Sequence, residues 1–265
     1  MAPRFLLLPL VGLLVTVAAS GLAQEVGSPP KPAPPDSAAE TTTSSPQVPA
    51  VAPAETGLEA GERDTLLRLA WQTLVGHLTS RPIKDKDLEA YTLTPRLQQP
   101  RGCFVTLKIG GEVRGLQGEI EAARPLYQQV IVFTRRAATR DPRFLPLTDL
   151  DLDKVVVEIA VIGRRERIEG PEALHPERQG VFLEKWGRRA IFLPGVAAAQ
   201  GWNAERTLEE LCRQASLPAR AWAQGGRLEA FEAEIIAGPR PGPAQAAPLP
   251  ERPVEPEGSA APGSS

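Results

Sequence analysis

The residues best suited to chemistry lie on one predicted hairpin, where an arginine is followed by two glycines. Arg114 is followed by Gly115, and Gly118 comes three residues later. A guanidinium can hold a carboxylate or a phosphate with two parallel hydrogen bonds, and glycine lets a ligand or another backbone come close. The pattern indicates a ligand-binding hairpin formed by Arg114, Gly115, Leu116 and Gly118. The alternative is a solvated arginine with glycines needed only for a β-bulge.

A single carboxylate interrupts the most apolar strand candidate. Glu158 lies within Val155–Ile162, where every other side chain is aliphatic. A carboxylate in that position should either be paired or have a raised pKa. Glu158 could act as a catalytic general acid or base, or it could hold Arg114 or Arg143 in place. The simpler alternative is a structural ion pair at a boundary between subdomains.

A second charged segment follows a predicted helix. Arg140, Asp141 and Arg143 surround a proline, and Phe144 comes next. These side chains could form the rim of a cleft that binds an anion. The alternative is that Asp141 and the proline only end the helix, while Phe144 anchors the loop. We include Arg140, Asp141 and Arg143 among the predicted ligand-binding residues.

Sulfur chemistry has little support in the sequence. Cys103 and Cys212 are the only cysteines, and two cysteines cannot build a disulfide scaffold or a Cys-rich zinc site. Cys212 lies on the apolar side of its predicted helix, as a small buried residue would. We expect both cysteines to be buried; a disulfide between them and a nucleophilic Cys103 are the alternatives.

Metal ligands are equally sparse, and the sequence predicts neither a metal nor a cofactor. His77 and His175 are the only histidines, and neither has a second ligand at metal-binding spacing. The alternating aspartates of residues 149–153 resemble the start of a calcium loop. That loop needs Gly at its sixth position and Glu at its twelfth, and here Lys154 and Ala160 occupy them. This segment is better interpreted as the start of a helix or turn.

Hydrophobic spacing and turn residues predict the elements that position these side chains. In chain order they are a helix over Asp64–Thr79, strands at Cys103–Leu107 and Glu112–Gly118 around Gly110-Gly111, a helix opened by Pro125, a strand at Val155–Ile162, strands at Val181–Lys185 and Arg188–Leu193, a helix over Ala204–Ala215 capped by Asn203, and a strand at Arg227–Ile236. The strands come as hairpins between helices rather than in β-α-β alternation. The predicted fold class is therefore α+β, with flanking helices on a hairpin-rich sheet.

Two flanks rich in Pro, Ala and Ser enclose this segment. Residues 24–60 and 238–265 carry almost no large apolar side chains, so burial cannot offset the entropy lost on ordering them. The sequence therefore predicts one folded domain over 61–237. A disordered linker precedes it and a disordered tail follows it.

Residues 1–23 have the pattern of a secretory signal peptide. Arg4 precedes the apolar run Phe5–Val17, and small residues at Gly21 and Ala23 precede the predicted cleavage point. The run is about 13 residues long, short of the roughly 20 that span a membrane. An uncleaved anchor is the alternative. We expect an exported protein, periplasmic or extracellular, with no integral membrane segment after cleavage.

Composition argues against a nucleic-acid partner. The chain has 30 Lys and Arg against 32 Asp and Glu, a formal net charge of −2, whereas nucleic-acid binders usually carry a basic excess or stripe. The folded segment also lacks the GxxxxGK[ST], HExxH and GxSxG motifs. These absences lower the support for a common ATPase, zinc hydrolase or serine esterase.

The ordered motifs of the folded segment resemble the AMMECR domain family. The matching stretches are Arg101-Gly-Cys-Phe-Val-Thr-Leu107, Gly111-Glu-Val-Arg-Gly-Leu-Gln-Gly118, Asp141-Pro-Arg-Phe-Leu-Pro-Leu147, Glu158-Ile-Ala-Val161, Leu193-Pro194, Gly201-Trp202 and Phe231-Glu-Ala-Glu234. The resemblance implies an α+β fold of two unequal subdomains with a cleft between them. Prokaryotic members of that family are often called protein A of the AmmeMemoRadiSam system, alongside Memo-like and radical-SAM proteins, and the family's biochemical activity is not established.

This sequence departs from the family at its suspected functional loop, which reads Arg-Gly-Cys-Ile-Gly. Arg114, Gly115 and Gly118 match, but Leu116 and Gln117 replace the Cys and the Ile. A leucine cannot serve as a nucleophile, an acid or a metal ligand. The resemblance therefore implies a divergent, exported member without sulfur chemistry in this loop.

These observations lead to three functional hypotheses. The first is an extracytoplasmic binding module, in which a cleft around Arg114, Arg143 and Glu158 recognises a small anionic ligand or an acidic peptide of a protein partner. The second is an enzyme using Glu158 as acid or base, which requires an open cleft within reach of Arg114. The third is an envelope interaction protein, which predicts an exposed apolar patch and no sizeable pocket.

Overall fold

The computed structural model describes residues 57–241 of the chain. The predicted signal peptide, residues 24–56 of the predicted linker and residues 242–265 of the predicted tail lie outside the described residues. Leu58 is already buried in the core, and the last strand continues to Pro239. The folded elements therefore extend a few residues beyond the predicted limits of 61 and 237.

Five helices and six strands make up the described domain. The helices are α1 (Ala60–Leu78), α2 (Pro95–Gln98), α3 (Leu126–Thr139), α4 (Val196–Ala199) and α5 (Ala204–Gln214), and the strands are β1 (Cys103–Ile109), β2 (Glu112–Glu119), β3 (Val155–Arg167), β4 (Gly180–Lys185), β5 (Arg188–Phe192) and β6 (Arg227–Pro239). Short 3₁₀ turns lie at Asp85–Ala90, Asp149–Asp151, Pro171–Ala173 and Ala221–Gln224. None of the helices within 57–241 is both long and apolar enough to cross a membrane.

All six strands belong to one antiparallel sheet with the order β2-β1-β3-β6-β4-β5. The two long central strands, β3 and β6, pair with each other and so join an N-terminal half to a C-terminal half. Their register shifts between Ile162 and Arg165, and such irregularities bend a strand and increase its twist.

Helices cover the sheet differently in its two halves. In the N-terminal half, α1 and α3 pack on β1 and β3 through a cluster that includes Leu66, Leu74, Val105, Leu107, Val130, Phe133 and Ile159. In the C-terminal half, the smaller helix α5 packs on β4, β5 and β6 through Leu208, Leu211, Val181, Leu183 and Leu228. The predicted α+β class with two unequal subdomains is confirmed.

A third apolar cluster shows how the sheet curls. It contains Phe104 and Leu116 from β1 and β2, together with Phe182, Ile191 and Phe231 from β4, β5 and β6. The strands β2 and β5 lie at opposite edges of the sheet. Because side chains from both edges share one cluster, the sheet must fold over so that its second face is buried between the two halves.

Local sequence signals account for several element boundaries. Asn203 caps α5 as predicted, since its Oδ1 accepts a hydrogen bond from the Arg206 N–H at 2.8 Å. Gly110 and Gly111 adopt φ angles of +60° and +85° in the first hairpin turn, a conformation that favours glycine. Pro125 differs slightly from the expectation, because it is the N-cap of α3 rather than its first residue.

Gly115 is expected to be essential for packing α3 against β2. A Cβ atom at this position would lie 1.9 Å from the carbonyl oxygen of Ala137 in α3, so the substitution Gly115→Ala forces two backbones apart. We expect a loss of about 2–3 kcal/mol in unfolding free energy, typical of overpacking, measured by urea denaturation of the full chain.

Gly61→Ala is the matched control for this substitution. A Cβ atom there meets nothing within 4 Å, and the residue lies in α1. Alanine should therefore raise the unfolding free energy by about 0.5–1 kcal/mol or leave it unchanged. Equal urea midpoints for Gly115→Ala and Gly61→Ala would contradict the packing argument.

Candidate functional site

Three of the predicted site residues meet at the edge of the sheet. The Leu116 N–H donates to Asp141 Oδ2 at 2.8 Å, and Arg143 Nη2 lies 3.5 Å from the Leu116 carbonyl oxygen. Since β2 is an edge strand, its outward backbone groups have no neighbouring strand to pair with. The loop after α3 supplies those partners, and we call this set of contacts the edge clamp.

The charge of Asp141 is fully engaged in the edge clamp. Its side chain is only 2% exposed and accepts hydrogen bonds from the Arg143 backbone N–H at 3.2 Å, Nε at 2.8 Å and Nη2 at 2.5 Å. Burial alone would raise the pKa of the Asp141 carboxyl group. The hydrogen bonds from Arg143 and the Leu116 N–H outweigh burial and hold this pKa below its ordinary value.

The rest of the predicted hairpin site is packed against the protein itself. Leu116 is 2% exposed and belongs to the cluster between the two halves of the domain. Gly115 faces the backbone of α3, and a Cβ at Gly118 would lie 2.3 Å from the ring of Phe104. The close approach that these glycines permit is therefore taken up by the protein's own helix and aromatic ring. Their role in ligand binding stays a prediction.

Arg114 differs from its neighbours because it sits on a β-bulge. Leu107 pairs with Gly115 and Lys108 pairs with Val113, so Arg114 has no residue opposite it on β1. Its side chain is half-buried and makes no hydrogen bond or ion pair with any other residue of 57–241; its one resolved interaction is electrostatic, with the Asp151 carboxylate. Bulges re-aim side chains in this way next to many active sites.

Asp151 is itself held in place by its own turn. Its Oδ2 accepts hydrogen bonds from the Thr148 N–H at 2.9 Å and the Thr148 hydroxyl at 3.0 Å, which lower the pKa of the Asp151 carboxyl group. The turn predicted for residues 149–153 is thus present as a 3₁₀ turn over Asp149–Asp151, with Thr148 as its N-cap. The guanidinium of Arg114 is left with donors available to a ligand.

Glu158 is paired, but not with either predicted arginine. Its Oε2 lies 2.6 Å from Lys108 Nζ, and the two side chains are about a fifth to a third exposed. This is the ion-pair alternative, formed between neighbouring strands β1 and β3. A paired carboxylate that does not reach Arg114 gives the acid–base hypothesis no geometric support.

Arg140 also lies apart from the edge clamp. It is exposed at the C-terminal end of α3, and its charge acts on the His77 ring of α1. Burial and the charges of Arg135 and Arg140 lower the pKa of His77, whose Nε2 lies 3.0 Å from Thr139 Oγ1. His77 is therefore a partly buried histidine between α1 and α3 whose charged form is disfavoured.

Both cysteines are buried and unpaired with each other. Cys103 belongs to the cluster beneath α1 and α3, whereas Cys212 belongs to the cluster beneath α5. Burial raises the pKa of both thiols, which keeps them protonated and weakly nucleophilic. The expected burial is confirmed, and the structure contains no disulfide between Cys103 and Cys212. Within 57–241, no three His, Cys, Asp or Glu side chains are grouped to hold a metal ion.

A pocket that the sequence did not reveal lies at the start of α1. Its volume is about 390 Å³, and its lining consists of Glu59, Glu62, Thr94, Pro95, Arg96, Gln99 and Arg101. The predicted site residues do not contribute to it. The one available signal was Arg101, which directly precedes the Gly102-Cys103 motif, but no sequence pattern links it to the glutamates at the start of α1.

The family model for AMMECR1 matches residues 67–236 of this chain. The chain belongs to the AMMECR1 family. Among its relatives, a protein of Thermofilum pendens is 32% identical over 196 residues, which cover 68% of this chain and 91% of that protein. A protein of Methanothermobacter thermautotrophicus is 33% identical over 187 residues, covering 68% and 95%.

A solved structure gives the same result for the AMMECR1 fold. The crystal structure of an uncharacterized protein from Pyrococcus horikoshii superimposes with a TM-score of 0.63 at 30% sequence identity, covering 68% of this chain and 93% of that one. The resemblance inferred from the motifs is thereby confirmed. Within the AMMECR1 domain, charged side chains converge at the edge clamp and around the pocket lined by Arg101. A further ion-pair network joins Arg165 and Arg227 with Glu121 and Glu229.

We expect Asp141→Asn to destabilise the AMMECR1 domain strongly. Removing one partner of a buried ion pair typically costs about 3–5 kcal/mol, because Arg143 then keeps an uncompensated charge beside Leu116. The measurement is urea denaturation at neutral pH. Asp153→Asn serves as the control, since the Asp153 side chain is 88% exposed and its loss should change the unfolding free energy by no more than about 0.5 kcal/mol.

The destabilisation caused by Asp141→Asn should depend on pH. The pKa of Asp141 is lower in the folded than in the unfolded state, so its stabilising contribution is fully present above the unfolded pKa of about 3.9. It is lost as the pH falls through the folded pKa. The stability difference between wild type and Asp141→Asn should shrink below about pH 4, and a constant difference down to acid pH would refute the assignment.

Native-state thiol labelling should be slow for both cysteines. Because Cys103 and Cys212 are buried with raised pKa values, we expect an aromatic disulfide reagent to react with neither until the domain opens. Two thiols should then react in denaturant. A Leu116→Cys variant should add a third thiol that is equally protected, and rapid labelling of that thiol would show that the hairpin surface is more open than described.

Proposed function

We propose that this AMMECR1 domain is an extracytoplasmic binding module that recognises an acidic segment of a partner protein through Arg114. The observation that carries the proposal is the position of Arg114 on a β-bulge, half-buried and with no hydrogen bond to another described residue. A guanidinium has five N–H donors in a planar fork that matches a carboxylate. Arg114 can therefore donate hydrogen bonds to an acidic side chain of the partner without breaking an existing ion pair.

The surrounding ion pairs favour Arg114 over Arg143 and Lys108 as the residue that binds an acidic side chain. Arg143 is bound to Asp141 and Lys108 to Glu158, so an anion at either site would have to displace a carboxylate. Asp151 contributes only an electrostatic interaction to Arg114. Arg114 is thus a cation positioned by the sheet whose hydrogen-bonding capacity remains available.

Exposed leucines favour a protein segment over a small anion. Leu145 is 80% exposed and Leu150 is 81% exposed, and both lie in the loop of residues 140–154. That loop contacts β2 through Asp141 and carries the Asp151 that interacts with Arg114. An acidic segment with aliphatic side chains could bind Arg114 and the leucines together, whereas a small anion would use Arg114 alone.

The extracytoplasmic location rests on different support. The charged start, short apolar run and small residues of 1–23 are typical of a secretory signal peptide. The exposed leucines agree with one expectation of the interaction-protein hypothesis, an exposed apolar patch. Its other expectation, the lack of a sizeable pocket, does not agree with the volume of about 390 Å³ at the start of α1. An acid–base reaction at Glu158 has less support because Lys108 pairs with that carboxylate.

The test is binding of fluorescein-labelled peptides of alternating Glu and Leu, followed by anisotropy with the full chain. We expect Arg114→Ala to weaken binding about tenfold, the effect of one charge-assisted hydrogen-bonded contact, and higher ionic strength to weaken wild-type binding. Arg178→Ala removes the same charge from an arginine 60% exposed in the other half of the domain and should leave binding unchanged.

A second variant tests the apolar part of the surface. Replacing Leu145 and Leu150 together by serine should also weaken peptide binding, with little effect on stability because both side chains are exposed. The proposal is refuted if wild type binds no peptide, or if Arg114→Ala binds the peptides as tightly as wild type does. A thermal shift with acetate or phosphate that disappears in Arg114→Ala, without peptide binding, would indicate a small anionic ligand instead.

A further inference from the structure

The proposed peptide-binding surface consists of Arg114, Leu145 and Leu150, and we call it the Arg114 surface. The pocket at the start of α1 contains none of these residues. Its volume of about 390 Å³ lies within the range of small-molecule sites, roughly 300–1,000 Å³. Six of its seven lining residues carry charged or hydrogen-bonding side chains, and Pro95 is the exception. Such a lining suits a small, strongly polar solute rather than an apolar one.

Arg101 is the residue in this pocket whose hydrogen bonding is incomplete. Its Nη2 donates to the Ile162 carbonyl oxygen at 3.1 Å, while its Nη1 is buried and has no acceptor among residues 57–241. A buried charged donor without an acceptor is costly, and such groups are usually satisfied by water or a ligand. One donor of Arg101 therefore lacks an acceptor among the described residues, and Arg101 also contributes to the pocket lining.

The carboxylates near Arg101 do not supply that acceptor. Glu62 accepts hydrogen bonds from the Glu59 N–H at 2.9 Å, the Thr94 hydroxyl at 2.5 Å and Arg96 Nη1 at 3.2 Å. Glu234 accepts a hydrogen bond from the Leu58 N–H at 2.8 Å and is paired with Arg63. Burial lowers the pKa of Arg101 despite the nearby charges of Glu234 and Glu62.

We propose that this pocket binds a small zwitterionic solute of the free amino-acid class, with its carboxylate on Arg101 and its ammonium group towards Glu59. Glu59 is exposed and forms part of the lining, so its carboxylate can be approached from solution. The site is independent of the Arg114 surface, and either proposal can fail without the other.

Charge balance is the reason for choosing a zwitterion. The ionisable lining consists of Glu59, Glu62, Arg96 and Arg101, two negative and two positive side chains. A net-neutral solute with both signs matches this arrangement. Phosphate, which carries up to two negative charges, meets the two glutamates, and a simple carboxylate leaves Glu59 without a partner.

The experiment compares four probes by calorimetry on the full chain: glycine, acetate, methylammonium and inorganic phosphate. We expect glycine to bind more tightly than acetate or methylammonium, and phosphate to bind most weakly. A larger amino acid, L-glutamine, tests whether the volume beyond the two charged groups is used. Binding should also raise the melting temperature, by an amount that grows with the logarithm of the ligand concentration above Kd.

Two variants test the two proposed contacts separately, one with the carboxylate of the solute and one with its ammonium group. Arg101→Lys should weaken glycine binding about 10- to 100-fold, because the charge is kept but the forked donor geometry is lost. Glu59→Gln should weaken glycine while leaving acetate unchanged, so that the preference for the zwitterion disappears. Arg178→Lys and Glu232→Gln are the controls, since both residues are exposed and outside the pocket lining.

The proposal is overturned if glycine binds wild type no better than acetate, or if wild type binds none of the probes. Unchanged glycine affinity in a folded Arg101→Lys variant would also overturn it. Should Arg101→Lys fail to fold, Glu59→Gln still decides, because Glu59 is an exposed N-cap residue of α1 and glutamine keeps a side-chain oxygen that can accept the capping-box hydrogen bond. A retained preference for glycine over acetate in Glu59→Gln would reject the assigned orientation.

Discussion

The edge clamp is the interaction on which the arrangement of this domain's candidate site depends. One buried carboxylate, that of Asp141, accepts hydrogen bonds from the Leu116 N–H of the edge strand and from the guanidinium of Arg143. These contacts join the loop after α3 to β2, which would otherwise present unpaired backbone groups. Because Asp141 is almost fully buried, the strand, the loop and α3 must be ordered together. The charged turn thus has a structural role, and its predicted role in anion binding stays a prediction.

The same clamp explains what the altered family loop retains. With the backbone of Leu116 held on one side and its side chain buried between the two halves of the sheet, this position has no access to a substrate. The neighbouring bulge then turns Arg114 out of the regular register. Arg114 and Leu116, two positions apart on one strand, therefore have different environments: the leucine is buried, and the arginine is half-buried without a hydrogen bond to another described residue.

Charge pairing limits where this nearly neutral chain can bind other molecules. Arg143, Lys108, Arg165 and Arg227 all have carboxylate partners within the described domain. Arg114 and Arg101 differ from them, but for different reasons. Arg114 is placed at the surface by a bulge, whereas Arg101 is partly enclosed beside a polar pocket with one buried N–H group left over.

The sequence by itself determined the family, the α+β class and the elements whose signals are local. The Gly110-Gly111 turn and the Asn203 cap needed only interactions between residues a few positions apart, which the sequence displays directly. The tertiary structure decided the partner of Glu158, the contact of Asp141 with Leu116 and the pocket around Arg101. These depend on strand register and on the curling of the sheet, which bring together residues far apart in the chain. Side-chain periodicity specifies which face is buried, but it does not specify which charged residue another charged residue will meet.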